Sequence, residues 1–140
     1  MSDVTLDVYL YFSGNCREAM EFYEGVFGGE LHTQTYGDVP GAAPDDDGEA
    51  TKDWLMHARL EGGLIKLMAS DTKRASPAVA KIDLSLGGSD EAKLRQIFDK
   101  LSEGGQVKSA LKKEFWGDIF GSLTDKYGVN WMVNITAKQS

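Results

Sequence analysis

The chain has 140 residues, 41% hydrophobic and 26% charged, an apolar content that supports one domain with its own core. A formal net charge of -7, with lysine and arginine scattered along the chain, argues against nucleic acid or an anionic membrane surface as the main partner. One cysteine, Cys16, rules out an intrachain disulfide and points to a reducing, cytoplasmic setting. No apolar run reaches the roughly 18 residues that span a bilayer.

Met1-Ser2-Asp3 begins no basic-then-apolar segment, so no signal peptide is expected. Residues 4 to 12, VTLDVYLYF, are β-branched and aromatic and predict a strand. Asn15, with Glu18 three residues on, has capping-box spacing. Cys16, Ala19, Met20, Tyr23, Val26 and Phe27 then recur at three-four spacing and predict a helix over 16–27, closed by Gly28-Gly29. A strand over 30–36 follows. Residues 37 to 51, GDVPGAAPDDDGEAT, read as a surface loop. The run Asp45-Asp46-Asp47-Gly48-Glu49 lacks the alternating spacing of a calcium loop. Strands over 53–60 and 64–69 meet at a Glu-Gly-Gly hairpin.

The second half opens with a strand, VAKIDLSL, at 79–86. Ser89 or Asp90 caps a helix whose apolar face is Leu94, Ile97, Phe98 and Leu101, ended by Glu-Gly-Gly at 103–105. A strand near 106–112 and a closing hairpin, DIFGSLTD with VNWMVNIT, complete the chain. The halves repeat. LDVYL at 6–10 matches IDLSL at 82–86, and Gly28-Gly29 matches Gly104-Gly105, both at an offset of 76 (6 to 82, 28 to 104). Two βαβββ modules, about 4–70 and 79–136, predict a single α+β domain. Its mixed sheets carry a helix on one face and curve around a ligand cavity on the other.

Few groups in this chain are equipped for chemistry. His57, in mid-strand, is the candidate general acid or base as an imidazole, with a hydrogen bond to a neighbouring strand or subunit as the structural alternative. His32 is expected to be exposed, and Cys16 to be a buried small apolar residue. No nucleophile elbow is present. Strand alternation sends Trp131, Val133 and Ile135 to the core and Asn130, Met132 and Asn134 to the cavity. The expected ligand-contacting set is Val8, Leu10, Trp54, Met68, Trp116, Asp118, Asn130 and Met132. Asp118 is equally suited to a turn. Such a cavity suits a small, partly apolar organic molecule with a few hydrogen-bonding points.

The paired βαβββ pattern resembles the vicinal-oxygen-chelate superfamily of glyoxalase I, bleomycin-resistance proteins, fosfomycin-resistance enzymes and extradiol dioxygenases. YLYFSGNCREAMEFYEGVFGGEL at 9–31, WLMHARLEGG at 54–63, LMASD at 67–71 and EFWGDIFGSLTDKYGVNWMVNI at 114–135 are similar to its PhnB-like branch. The resemblance implies the glyoxalase-like fold and a homodimer that completes its cavities across subunits. In metal-using relatives each half gives two ligands, a His or Gln on its first strand and a Glu on its last. Those slots fall here on Val8, on one of Lys66, Leu67 or Met68, near Lys81, and on Met132. None is a ligand for a hard divalent ion. No cofactor is therefore expected. A shifted metal site at Asp7 and Asp83 with His57 or His32 is the alternative, serving a lyase or dioxygenase-like activity. The branch's methyltransferase label finds no glycine-rich nucleotide loop after a strand.

Overall fold

A computed structural model describes residues 6–38, 52–73 and 82–137. The elements run β1 (Val8–Phe12), α1 (Cys16–Phe27), β2 (Glu30–Thr35), a 3-10 turn at Tyr36–Asp38, β3 (Leu55–Glu61) and β4 (Leu67–Asp71). Then come β5 (Leu84–Gly88), α2 (Glu91–Ser102), β6 (Gln106–Lys113), β7 (Ile119–Thr124) and β8 (Asn130–Ile135). This is the expected α+β repeat of two βαβββ modules. The acidic run 45–49, Lys81 and most of the loop lie outside the described residues.

The chain forms two compact units, residues 1–76 and 77–140. Each has one four-stranded mixed sheet, in the orders β1-β4-β3-β2 and β5-β8-β7-β6. In both, the first strand runs parallel to the last and the other pairs are antiparallel. A helix between the first two strands makes that order natural, because it carries the chain across one face of the sheet.

In the first unit, Cys16, Ala19, Met20, Tyr23, Val26 and Phe27 of α1 are buried, as are Leu55, Ala58, Leu60, Leu67 and Ala69 of the sheet. In the second, Leu94, Ile97, Phe98 and Leu101 of α2 are buried with Leu123, Trp131, Val133 and Ile135. Each large apolar side chain so buried contributes about 1.5–3 kcal/mol.

The two helices start differently. Asp90 caps α2, its Oδ1 accepting from Lys93 N at 3.1 Å. The expected capping box at Asn15 is not formed: Asn15 makes no side-chain cap bond. The carboxylate of Asp71, at the end of β4, does that work. Its Oδ1 accepts from Gly14 N at 2.7 Å and Cys16 N at 3.0 Å, and its Oδ2 accepts from Leu55 N at 3.0 Å. A group three residues away in sequence lost to one 55 residues away, because the parallel β1–β4 pairing sets Asp71 beside Phe12 at the helix entrance.

The Asp-Lys-Tyr-Gly turn has its own buried carboxylate. Asp125 Oδ1 accepts from Tyr127 N and Val129 N, and Oδ2 accepts from Trp131 Nε1 at 2.9 Å. That last bond satisfies the indole of a residue only 1% exposed.

Candidate functional site: the open sheet faces

Directly paired residues share a face, so register sorts every side chain. In the first sheet, Val8 pairs with Leu67 and Leu10 with Ala69. Ala58 and Leu60 oppose the same two β4 residues, so all of these belong to the buried, helix-side face. Tyr9 pairs instead with Met68, Met68 with Arg59, and Arg59 with His32. One row of the open face therefore reads Tyr9, Met68, Arg59, His32. His57 and Gln34 pair beside it.

The corresponding row in the second sheet is Ser85, Met132, Ser122, Ser109. Asn130 and Asn134 flank Met132 on the same face, as alternation predicts. The two methionines are repeat equivalents, each beside its module's first strand. The strand neighbours of the methionines are thus Tyr9 and Ser85. The expected slot Val8 lies one residue from Tyr9, on the other face, and Lys81 lies outside the described residues. The count along one strand was a residue out of phase with its partner, and one residue of phase exchanges the faces.

The expected ligand set divides. Met68, Asn130 and Met132 occupy open faces. Val8 and Leu10 do not share a face with Met68. Trp54 lies before β3, where its ring packs against Gly14; a Cβ on Gly14 would sit 3.2 Å from it. Trp116 is half exposed in the β6–β7 turn, and its ring reaches Phe120 at 6.1 Å between centroids. Phe120 is the cross-strand partner of Asn134, whose Nδ2 donates to Asp118 Oδ2 at 3.0 Å. Asn130 Oδ1 accepts from Thr124 Oγ1 at 2.7 Å and is 3.5 Å from Lys108 Nζ.

Sequence reasoning missed Tyr9, Tyr11, Gln34 and Arg59. Tyr9 Oη and His57 Nδ1 share a hydrogen bond at 3.1 Å, and the Tyr9 ring lies 5.1 Å from that of Tyr11. When the phenol donates, the proton of a neutral imidazole sits on Nε2. His57, Arg59, Gln34, Thr33 and His32 line a groove of about 250 Å³, which brings both histidines of the chain to one place. Arg59 Nε approaches Glu61 Oε2 at 2.7 Å with its N–H out of line, a charge contact rather than a hydrogen bond. His32 Nε2 lies 3.4 Å from Glu30. The missed signal was the odd-numbered alternation of Tyr9 and Tyr11 along β1.

Cys16 is fully buried, and burial, reinforced by the Asp71 charge, pushes its thiol up to about 12. It is inert as a nucleophile near neutral pH.

The donors at these paired positions are a phenol, a hydroxyl and two thioethers. A thioether is too soft for a hard divalent ion, and a neutral phenol or hydroxyl is a weak donor, so these positions do not fit the His, Gln and Glu set that the resemblance implies. For the shifted site, Asp7 Oδ1 faces Lys66 Nζ at 3.7 Å and His57 is engaged by Tyr9. Among the described residues, no group of three His, Cys, Asp or Glu side chains has a metal-holding arrangement.

Residues 5–133 match the profile of the glyoxalase/bleomycin resistance protein/dioxygenase superfamily. Protein YjdN of Escherichia coli strain K12 is 31% identical, over 96% of this chain and 97% of that protein. The crystal structure of protein PA1353 from Pseudomonas aeruginosa is 40% identical with a TM-score of 0.77, covering 96% of this chain and all (100%) of that one. A Bacillus cereus PhnB protein, titled a putative 3-demethylubiquinone-9 3-methyltransferase, has a TM-score of 0.73 over 95% of this chain and 100% of its own. At 23% identity that likeness is one of fold. Among the described residues, no helix is long and apolar enough to cross a membrane.

Proposed function

The chain belongs to the glyoxalase/bleomycin resistance protein/dioxygenase superfamily, resembling its PhnB-like branch, and on that premise we propose that its open sheet faces bind a small organic ligand without the superfamily's divalent metal. The observation that carries this is the register: Tyr9 stands beside Met68, and Ser85 beside Met132, so the open-face pairs at each module's first strand hold no carboxylate or imidazole. Thioethers and a phenol offer polarizable, partly apolar contact, while Arg59, Gln34, Asn130 and the serines offer hydrogen bonds. We assign the protein a homodimeric form and a reducing, cytoplasmic setting. A sedimenting species of 15.3 kDa at micromolar concentration would refute the dimer.

Native mass spectrometry of the purified protein tests the ligand reading. A retained organic mass that is lost in Met68→Glu and Met132→Glu, with fold intact, supports it. Retention unchanged by both substitutions refutes it.

A second reading has its own observation, the Tyr9–His57 hydrogen bond beside the groove. Here His57 is the acid or base and Tyr9 holds its tautomer. Screening the retained ligand for turnover decides it. His57→Gln abolishes turnover if this reading holds, and Tyr9→Phe displaces its pH profile. Unchanged turnover in His57→Gln removes the reading.

A further inference from the structure

β1 carries two tyrosines, Tyr9 and Tyr11, and its register sets both on the open face, Tyr9 opposite Met68 and Tyr11 opposite Ser70. Both are exposed, Tyr9 at 37% and Tyr11 at 61%, whereas Phe12, Tyr23 and Phe27 are buried. Grouped rings left in water on a sheet face mark a contact site.

The repeat separates what the fold needs from what this face adds. At the offset of 76, Tyr9 corresponds to Ser85 and Tyr11 to Gly87 (9 to 85, 11 to 87). β5 pairs with β8 in the same parallel register as β1 with β4. The module is therefore built without rings at these two positions, and the rings of the first copy answer to something other than strand pairing.

Their geometry suits a flat partner. The Tyr9 ring lies 5.1 Å from that of Tyr11 at a tilt of 38°, and 5.8 Å from that of His57 at 36°. Such shallow tilts set the three rings as neighbouring facets rather than edge against face. The second unit does the opposite. Phe115 and Trp116 meet at 89°, and Trp116 and Phe120 at 64°, so these rings satisfy one another edge to face. The Tyr9–His57 hydrogen bond at 3.1 Å also fixes two of the three facets in advance of any ligand.

The surroundings define the rest of the ligand. Beside His57, Gln34, Arg59 and His32 wall the groove of about 250 Å³. Glu61 meets the Arg59 charge at 2.7 Å, and His32 lies 3.4 Å from Glu30, so the wall offers no uncompensated positive charge to an anion. It does offer N–H donors: the Gln34 amide and, when Tyr9 donates to Nδ1, the His57 Nε2–H.

We propose that Tyr9, Tyr11 and His57 form a stacking shelf for an uncharged, flat aromatic ring with a hydrogen-bond acceptor at one edge. This rests on the open-face reading above and names the class of its ligand. The ring lies on the tyrosine facets beside the Met68 thioether, and the acceptor points into the groove toward Gln34 and His57.

The test uses the full-length protein, labelled with ¹⁵N and aromatic ¹³C, with acetophenone as probe. Cyclohexyl methyl ketone is the control, having the same acceptor on a ring that is not flat. Acetophenone gives saturable shifts at the Tyr9 and Tyr11 ring signals, and cyclohexyl methyl ketone binds about ten-fold more weakly. Tyr11→Leu alters an exposed side chain, keeps apolar bulk and removes one facet. It weakens acetophenone by about ten-fold and leaves the control unchanged. Shifts that do not saturate, equal affinity for the two ketones, or acetophenone binding that survives Tyr11→Leu overturns the shelf. Equal binding of both ketones that is lost in Met68→Glu overturns the shelf alone and leaves the open-face reading in place.

Discussion

The two units share one topology but seal opposite ends of their sheets. Each has a buried aspartate that accepts three N–H donors. In the first it is Asp71, at the helix entrance, joining β4 to the β1–α1 loop and to β3. In the second it is Asp125, in the β7–β8 turn, holding that turn and the Trp131 indole. At the end that Asp71 closes in the first unit, the second unit has the buried Ile135 in its place. The open faces differ as sharply. Tyr9, Arg59 and His32 flank Met68 in one row, and three serines flank Met132 in the other. Repetition of a fold thus fixes where side chains point while leaving what they do to each copy.

The largest expected effect tests the two locks. Asp71→Ala strands three backbone donors on segments far apart in sequence and costs about 4 kcal/mol in chemical denaturation. Asp125→Ala strands donors within one turn and costs about 3 kcal/mol, with a shift in Trp131 fluorescence. Equal, small losses below about 1 kcal/mol would remove the locks from the account.

Alkaline pH gives the next effect. The Cys16 thiol is raised in the folded state, so the stability it confers is complete below its ordinary value near 9 and is lost as pH climbs toward about 12. Across that window the unfolded chain binds fewer protons, and wild type loses up to about 1.4 kcal/mol per pH unit more than Cys16→Ala. Parallel stability curves for the two proteins would contradict the assignment.

The smallest effect compares a covered glycine with an uncovered one. Gly14, at φ +104°, lies under the Trp54 ring, whereas Gly117, at φ +99°, faces open space. Gly14→Ala costs about 2 kcal/mol through backbone strain and the ring contact, and Gly117→Ala about 1 kcal/mol through strain alone. Thermal melts that rank them in the reverse order break the comparison.

Most of the architecture was legible in the sequence, since three-four periodicity in α1 and α2 and the 76-residue offset are local or repeated signals. The α2 cap was legible because Asp90 acts three residues away, whereas the α1 cap was hidden because Asp71 acts through parallel pairing. The same limit governs the site. His57 and Met132 stood out as residue types in strands. Tyr9 and Arg59 entered only with the register that puts them beside His57 and Met68, and Val8 and Leu10 left by the same register.

Calorimetric titration of the purified protein with Mn²⁺, Ni²⁺ and Zn²⁺ tests the central claim most directly. The phenol, hydroxyl and two thioethers of Tyr9, Ser85, Met68 and Met132 predict no stoichiometric binding of any of the three. One-site binding at stoichiometric ratio, abolished by Tyr9→Phe or by Asp7→Ala, would contradict a metal-free ligand site.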